Sequence, residues 1–273
     1  MVMYTFFYQL ALLGYSISLV FFFLLLFSPK SIFPRLATNS LLASFSIHTT
    51  ALITQWIVTS HFPFLGIKGS LSFVAWFLVL IYFCLYYRFR MPILGTFFVP
   101  LVVALMLIGR VVPKLTNPPK PLFKAFWLYF HISTSLLGDT LLAVAFCAGI
   151  MYLLQERQIK QKKLRGIYVR FPSLFFLDTL NYHALVVGFV LLTIGLLSGA
   201  FYAQWVKGRF WNWDPKEIWS LITWLVYAIL IHQRLMLGWR GRQAAWFSII
   251  GFCFLLFTFL GVNYFFQGYH RFG

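Results

Sequence analysis

The chain has 273 residues, of which 61% are hydrophobic, 21% aromatic and only 10% charged, proportions far outside those of soluble domains. A water-soluble globular fold is excluded, and an integral membrane protein is expected. The formal net charge of +17 does not point to nucleic acid, because the basic residues are spread over short loops between apolar runs, the distribution that orients a membrane protein.

A hydrocarbon core of about 30 Å needs roughly 20 apolar residues per helix. Eight runs meet that need, at 4–27, 40–60, 70–87, 93–109, 125–154, 183–203, 218–237 and 244–265. The expected fold is therefore all-α and polytopic, with about eight transmembrane helices. The first run has neither a basic leading segment nor a small-residue cleavage site, so it reads as a retained helix rather than a signal peptide. The fifth is long enough to tilt or to project beyond the bilayer.

Eight spans put both termini on one side. The loops 28–39, 88–92, 155–182 and 234–243 carry 13 Lys and Arg, against 9 in the alternate set. The largest cluster, "RQIKQKKLRGIYVR" from Arg157 to Arg170, belongs to the richer set and is assigned to the cytoplasmic side. Both termini and the loop around residues 204–217 are then extracytoplasmic. No loop is long enough to fold as a soluble domain, and "TNPPKP" at 116–121 reads as a stiff connector. The cysteines Cys84, Cys147 and Cys253 lie singly inside spans with no Cys-x-x-Cys pair, which excludes a thiol oxidoreductase.

The chemistry concentrates in "RFWNWDPKEIWSLITWLVYAILIH", residues 209–232, which holds two of the five acids. Asp214 suits a helix N-cap, Pro215 the first helical position and Glu217 the third, a capping-box order. That accounts for the acids but not for the rings. Five of the ten tryptophans fall between Trp205 and Trp224, denser than an interfacial belt requires. Such a shelf fits a flat apolar ligand that stacks on aromatic faces, and it also fits a packed interfacial turn; the residues alone leave both open.

The histidines separate by position. His131 opens the outer part of the fifth span and His270 follows the eighth, so both belong near the outer shelf. His232 lies about 14 residues below Ile218, roughly 21 Å inward at 1.5 Å per residue, too deep to share a site with that pair. His183 reads as interfacial. His48 and His61 are expected to be structural, the common role of a lone intramembrane histidine. Asp139 continues a polar stripe from His131 through Ser135 at spacings of four and needs a hydrogen bond, a cation or a proton at that depth.

The run "WDPKE-x-W-S-L-I-x-W-L-x-Y-A-x-x-x-H" resembles the tryptophan-rich WWD signature of the CcsA (ResC) family of cytochrome c biogenesis proteins, and the similarity extends from about Ala125 to the C-terminus. The resemblance implies an N-terminal four-helix region at 1–124 and a heme-handling region at 125–273. It implies heme b as cofactor and cargo, His131 and His270 as axial ligands of an outer site, and His232 as one ligand of a transmembrane site. Gly208, Trp211, Trp213, Asp214, Pro215, Glu217, Trp219 and Trp224 would form the platform. Implied partners are a CcsB (ResB) type membrane protein, apocytochrome c with its Cys-x-x-Cys-His segment, and a system that keeps those thiols reduced. The membrane would be a bacterial cytoplasmic or a thylakoid membrane, with the reaction on the extracytoplasmic side. Lys207 departs from the family pattern, which has tryptophan there. Rival expectations are a CcmC-like heme-delivery protein, a diheme quinone-reactive anchor, and a solute transporter with aromatic belts.

Overall fold

A computed structural model describes residues 2–27, 32–60, 62–112, 125–162 and 167–262. All regular structure among these residues is helical: α1 (Val2–Phe27), α2 (Ile32–Thr59), α3 (Gly66–Phe89), a 3₁₀ turn (Pro92–Leu94), α4 (Gly95–Val111), α5 (Ala125–Lys160), α6 (Ile167–Arg170), α7 (Leu174–Lys207), α8 (Pro215–Met236) and α9 (Arg242–Leu256). A π turn at Phe257–Gly261 continues α9. All but α6 are long and apolar enough to cross a membrane, which makes the eight spans expected of an all-α polytopic protein.

Two starts differ from expectation. α2 begins at Ile32 rather than near residue 40, and α7 at Leu174 rather than near 183. Both helices take polar residues into their first turns, where hydropathy reads a loop. In α7 those residues are satisfied inside the fold: Asp178 pairs with Arg234 at 2.8 Å, and Asn181 Nδ2 donates to the Ala145 carbonyl and to Ser248 Oγ, each at 2.8 Å.

The chain divides into two compact units, residues 1–115 with 157–172 and residues 116–156 with 173–273. In the first, α1 buries Tyr8, Tyr15 and Phe22 on one stripe at a spacing of seven. Tyr8 Oη donates to the Met106 carbonyl of α4 at 2.7 Å. His48 is fully buried between Tyr15 Oη (3.1 Å) and Ser72 Oγ (2.9 Å), a structural histidine joining three helices. α3 ends at Arg90, whose left-handed backbone (φ 57°) lets its N–H reach the Tyr86 carbonyl before Pro92 opens the 3₁₀ turn.

In the second unit α5 runs for 36 residues, about 54 Å at 1.5 Å per residue, well beyond a hydrocarbon core. Ser173 caps α7 by accepting from the Phe176 amide at 3.2 Å. Close packing of α5 on α7 depends on small residues, since a Cβ at Gly138 would lie 2.9 Å from the Leu192 amide nitrogen. Phe146 stacks on Phe252 at 4.3 Å, joining α5 to α9.

Candidate functional site

The WWD stretch lies wholly in the second unit and is shaped by backbone geometry on both sides. α7 stops at Gly208, whose φ of 74° lies in the left-handed region that favours glycine and turns its N–H onto the Gln204 carbonyl. α8 starts behind Asp214, which accepts from the Glu217 amide at 2.9 Å, with Pro215 at the first helical position. Glu217 reaches back past the cap: Oε2 accepts from the Asn212 amide at 2.6 Å and Oε1 from Asn212 Nδ2 at 3.3 Å.

Trp213 lies inside the loop closed by these two acids. Its φ is 58°, a left-handed conformation that is an outlier for a bulky side chain, and the residue is 72% exposed. Backbone outliers of this kind cluster at ligand clamps and active sites. Trp211 meets Trp213 edge to face, with centroids 6.2 Å apart at 81°. Trp211 Nε1 is buried and has no hydrogen-bond partner among the described residues. Phe210 is exposed and packs edge-on against Phe201 at 5.7 Å.

The remaining tryptophans of the stretch face the helices. Trp219 packs on Phe257 at 4.5 Å, and Thr258 Oγ1 donates to the Trp219 carbonyl at 3.2 Å while meeting Thr223 Oγ1 at 2.6 Å. These contacts dock the π turn against α8. Such turns re-aim a helix and are frequent at functional sites. Trp224 stacks on Phe189 at 5.4 Å and donates to Thr193 Oγ1 at 2.9 Å, joining α8 to α7 below the loop.

His131 sits two turns into α5, at the end where Trp127 meets Trp205 of α7 at 5.3 Å. Its Nδ1 lies 2.7 Å from the Gly195 carbonyl. A carbonyl only accepts, so Nδ1 carries a proton in this contact, the kind of second bond that orients metal-binding histidines. Gly199 fits under the ring: a Cβ there would stand 2.7 Å from His131 Cε1.

His232, 17 residues after Pro215 on the 22-residue α8, is exposed near the far end of the helix. Two residues on, Arg234 is buried. It pairs with Asp178 at 2.8 Å, donates to the Asp178 carbonyl at 3.0 Å, and lies over the Tyr182 ring at 4.9 Å. Asp178 Oδ1 also accepts from the Gly241 amide at 2.8 Å. This clamp fixes the lower ends of α7 and α8 and so the face that carries His232. The reading above leaves Asp178 in a loop and puts Arg234 at the end of the seventh run, with nothing in the sequence to pair them.

Asp139 lies within electrostatic reach of Lys216. His183 is exposed, with Nδ1 2.9 Å from the Thr179 carbonyl. His61, His270 and the Lys207 side chain lie outside the described residues. The residues fit a flat iron tetrapyrrole: an imidazole oriented through Nδ1, outward ring surface, and a buried indole N–H without a partner among the described residues.

The family described as cytochrome C assembly protein matches residues 64–270. The chain is 32% identical to the cytochrome c biogenesis protein CcsA of Prochlorococcus marinus (strain AS9601), over 93% of this chain and 92% of that protein. It is 31% identical to CcsA of Guillardia theta over 86% of this chain and 84% of that one. With CcsA of Chlamydomonas reinhardtii the identity is 34%, over 81% of this chain and 64% of the other. Among solved structures it is similar to the cytochrome c heme lyase CcmF, with a TM-score of 0.69 at 17% identity. That likeness covers 95% of this chain, which spans 46% of the CcmF chain.

Proposed function

The chain belongs to the CcsA family of cytochrome c biogenesis proteins, and we propose that it holds heme b at an outer aromatic platform and presents it to apocytochrome c for thioether attachment. The heme-handling region in this reading is 125–273, with 1–124 as an N-terminal four-helix region. A CcsB (ResB) type protein is the partner, and the reaction takes place on the extracytoplasmic side of a bacterial cytoplasmic or a thylakoid membrane.

The observation that carries this reading is the His131 ring, tied through Nδ1 to the Gly195 carbonyl. This bond fixes the orientation of the ring, as a second bond does for metal-binding histidines, and supports a ligand role for His131. His270 is the opposite ligand. Trp213, with Trp211 beside it, lies against the macrocycle, and the Trp211 indole N–H meets a propionate. Gly208, Asp214, Pro215 and Glu217 set the loop, while Trp219 and Trp224 brace α8 beneath it. His232 is one ligand of a second, transmembrane site. The exposure of His232 in this chain leaves its face open to a ligand contributed by the partner.

Heme supplies the iron and the two vinyl groups. Each substrate thiol adds across one vinyl group, its sulfur bonding one carbon and a proton ending on the other, with no net electron transfer. The thiolate comes from the reduced Cys-x-x-Cys-His segment, so no side chain of this protein is needed as nucleophile. Its residues contribute position, holding the reacting groups within reach.

The test is heme quantification and cytochrome c maturation in cells that co-express the ResB-type partner. His131→Ala and His270→Ala should each abolish maturation, with partial recovery in added imidazole, and His232→Ala should lower the heme that co-purifies. Normal maturation in both outer-site variants would overturn the outer-ligand assignment, and unchanged heme content in the third would overturn the transmembrane site.

A further inference from the structure

At one end of the first unit a half-open cavity of about 310 Å³ is lined by Leu25, Arg90, Pro92, Arg170, Phe171 and Pro172, among others. It collects the end of α1, the α3–α4 connection and the segment after α6. All three lie on the side whose loops carry the larger basic share, and an electropositive pocket among transmembrane helices on that side is where an anionic lipid headgroup is held.

The Arg90 side chain is exposed and that of Arg170 half-buried. Arg90 occupies a left-handed cap with φ 57°, and its guanidinium stands 5.9 Å from the Tyr86 and Tyr87 rings. Arg170 donates through Nη1 to the Leu25 carbonyl near the end of α1, and Phe97 packs edge-on against the adjoining Phe171 at 5.6 Å. Neither contact neutralises a charge. None of the five acids of the chain lies in this unit: they are Asp139, Glu156, Asp178, Asp214 and Glu217, all in the other. One exposed and one half-buried cation converge on an apolar cavity in a unit with no carboxylate of its own, which leaves room for charge-assisted bonds to an anion from outside.

The neighbours in sequence supply the rest of an amphiphile's needs. Phe27, Phe89 and Val169 are 74%, 41% and 71% exposed, so each segment that lines the cavity also offers apolar surface to acyl chains. The volume matches a small polar headgroup rather than a protein segment.

We propose that this cavity binds the headgroup of an anionic phospholipid, with its phosphate on Arg90 and Arg170 and its acyl chains along the exposed apolar residues beside them. The site is separate from the heme platform and does not depend on that reading.

The test uses the full chain, purified in detergent, stripped of lipid and titrated with phosphatidylglycerol or phosphatidylcholine under native mass spectrometry. One phosphatidylglycerol should be retained per chain in preference to phosphatidylcholine. Arg90→Gln should weaken that retention roughly tenfold, the effect of one charge-assisted hydrogen bond, and adding Arg170→Gln should weaken it further. The Arg90 side chain makes no hydrogen bond or ion pair within the described residues, so the single variant stays informative even if the double variant is unstable. Equal retention of the two lipids, or undiminished retention in Arg90→Gln, would overturn the proposal. Displacement of the lipid by millimolar inorganic phosphate would show a free-anion site and overturn the lipid assignment.

Discussion

Trp213 holds a left-handed backbone, φ 58°, while leaving 72% of its surface exposed, and its replacement separates stability from function. A tryptophan offers on the order of 250 Å², so the 28% that is buried amounts to roughly 70 Å². At about 25 cal/mol per Å² that burial contributes around 1.7 kcal/mol. Trp213→Ala loses this and keeps the left-handed cost. Trp213→Gly loses the same contact but relieves a cost of about 1–2 kcal/mol, less roughly 0.5–1 kcal/mol for the greater freedom of glycine in the unfolded chain. The glycine variant should therefore be no less stable than the alanine variant, and within about 1–2 kcal/mol of the parent. If the ring is a ligand contact, both variants should lose most holocytochrome c formation, and to the same degree. Thermal unfolding of the purified variants and heme-stained cytochrome c from co-expressing cells measure the two quantities. Maturation at the parental level in Trp213→Gly would refute the platform role of this ring.

Gly199→Ala should act as a partial copy of His131→Ala, because its Cβ would come within 2.7 Å of His131 Cε1. Maturation should fall and recover in part with imidazole, whereas unchanged maturation would separate function from the position of the ring. Asp178→Ala leaves Arg234 buried without its partner and removes the acceptor of the Gly241 amide, which should cost about 3–5 kcal/mol. Its destabilisation should be accompanied by loss of co-purifying heme, and a soluble, heme-replete variant would contradict the clamp. His48→Ala breaks the bonds to Tyr15 and Ser72 and should destabilise by about 2–4 kcal/mol, leaving heme per folded protein unchanged. A drop in that ratio would mean that His48 is more than structural.

The spans were legible because twenty apolar residues in a row have few alternatives once water is excluded from the backbone. Their ends were not. α7 takes Asp178 and Asn181 into its first turns because Arg234, Gly241, Ala145 and Ser248 satisfy them, and those partners are 36 to 67 residues distant. Hydropathy scores each residue by its own transfer cost, so a charge neutralised by a distant helix reads as a loop. The same limit hid the Asp178–Arg234 clamp. For the WWD stretch, ring density and the order Asp-Pro-x-Glu were visible in the sequence, and the cap follows from local rules. The left-handed Trp213 does not, because no local preference places a bulky residue there.

The two acids of the stretch explain that conformation. Asp214 takes the amide of Glu217, while Glu217 takes the amide of Asn212. One residue, Trp213, lies between Asn212 and the cap, and the chain must reverse within it for both bonds to close. A cap alone would need only Asp214. The longer reach of Glu217, past the N-cap amide that an ordinary capping box would bond, adds the constraint that turns Trp213 outward. Helix capping and the outward presentation of Trp213 are thus one device in this loop: the carboxylates that start α8 also hold the strained ring in place, and the hydrogen bonds of the cap offset the cost of that strain.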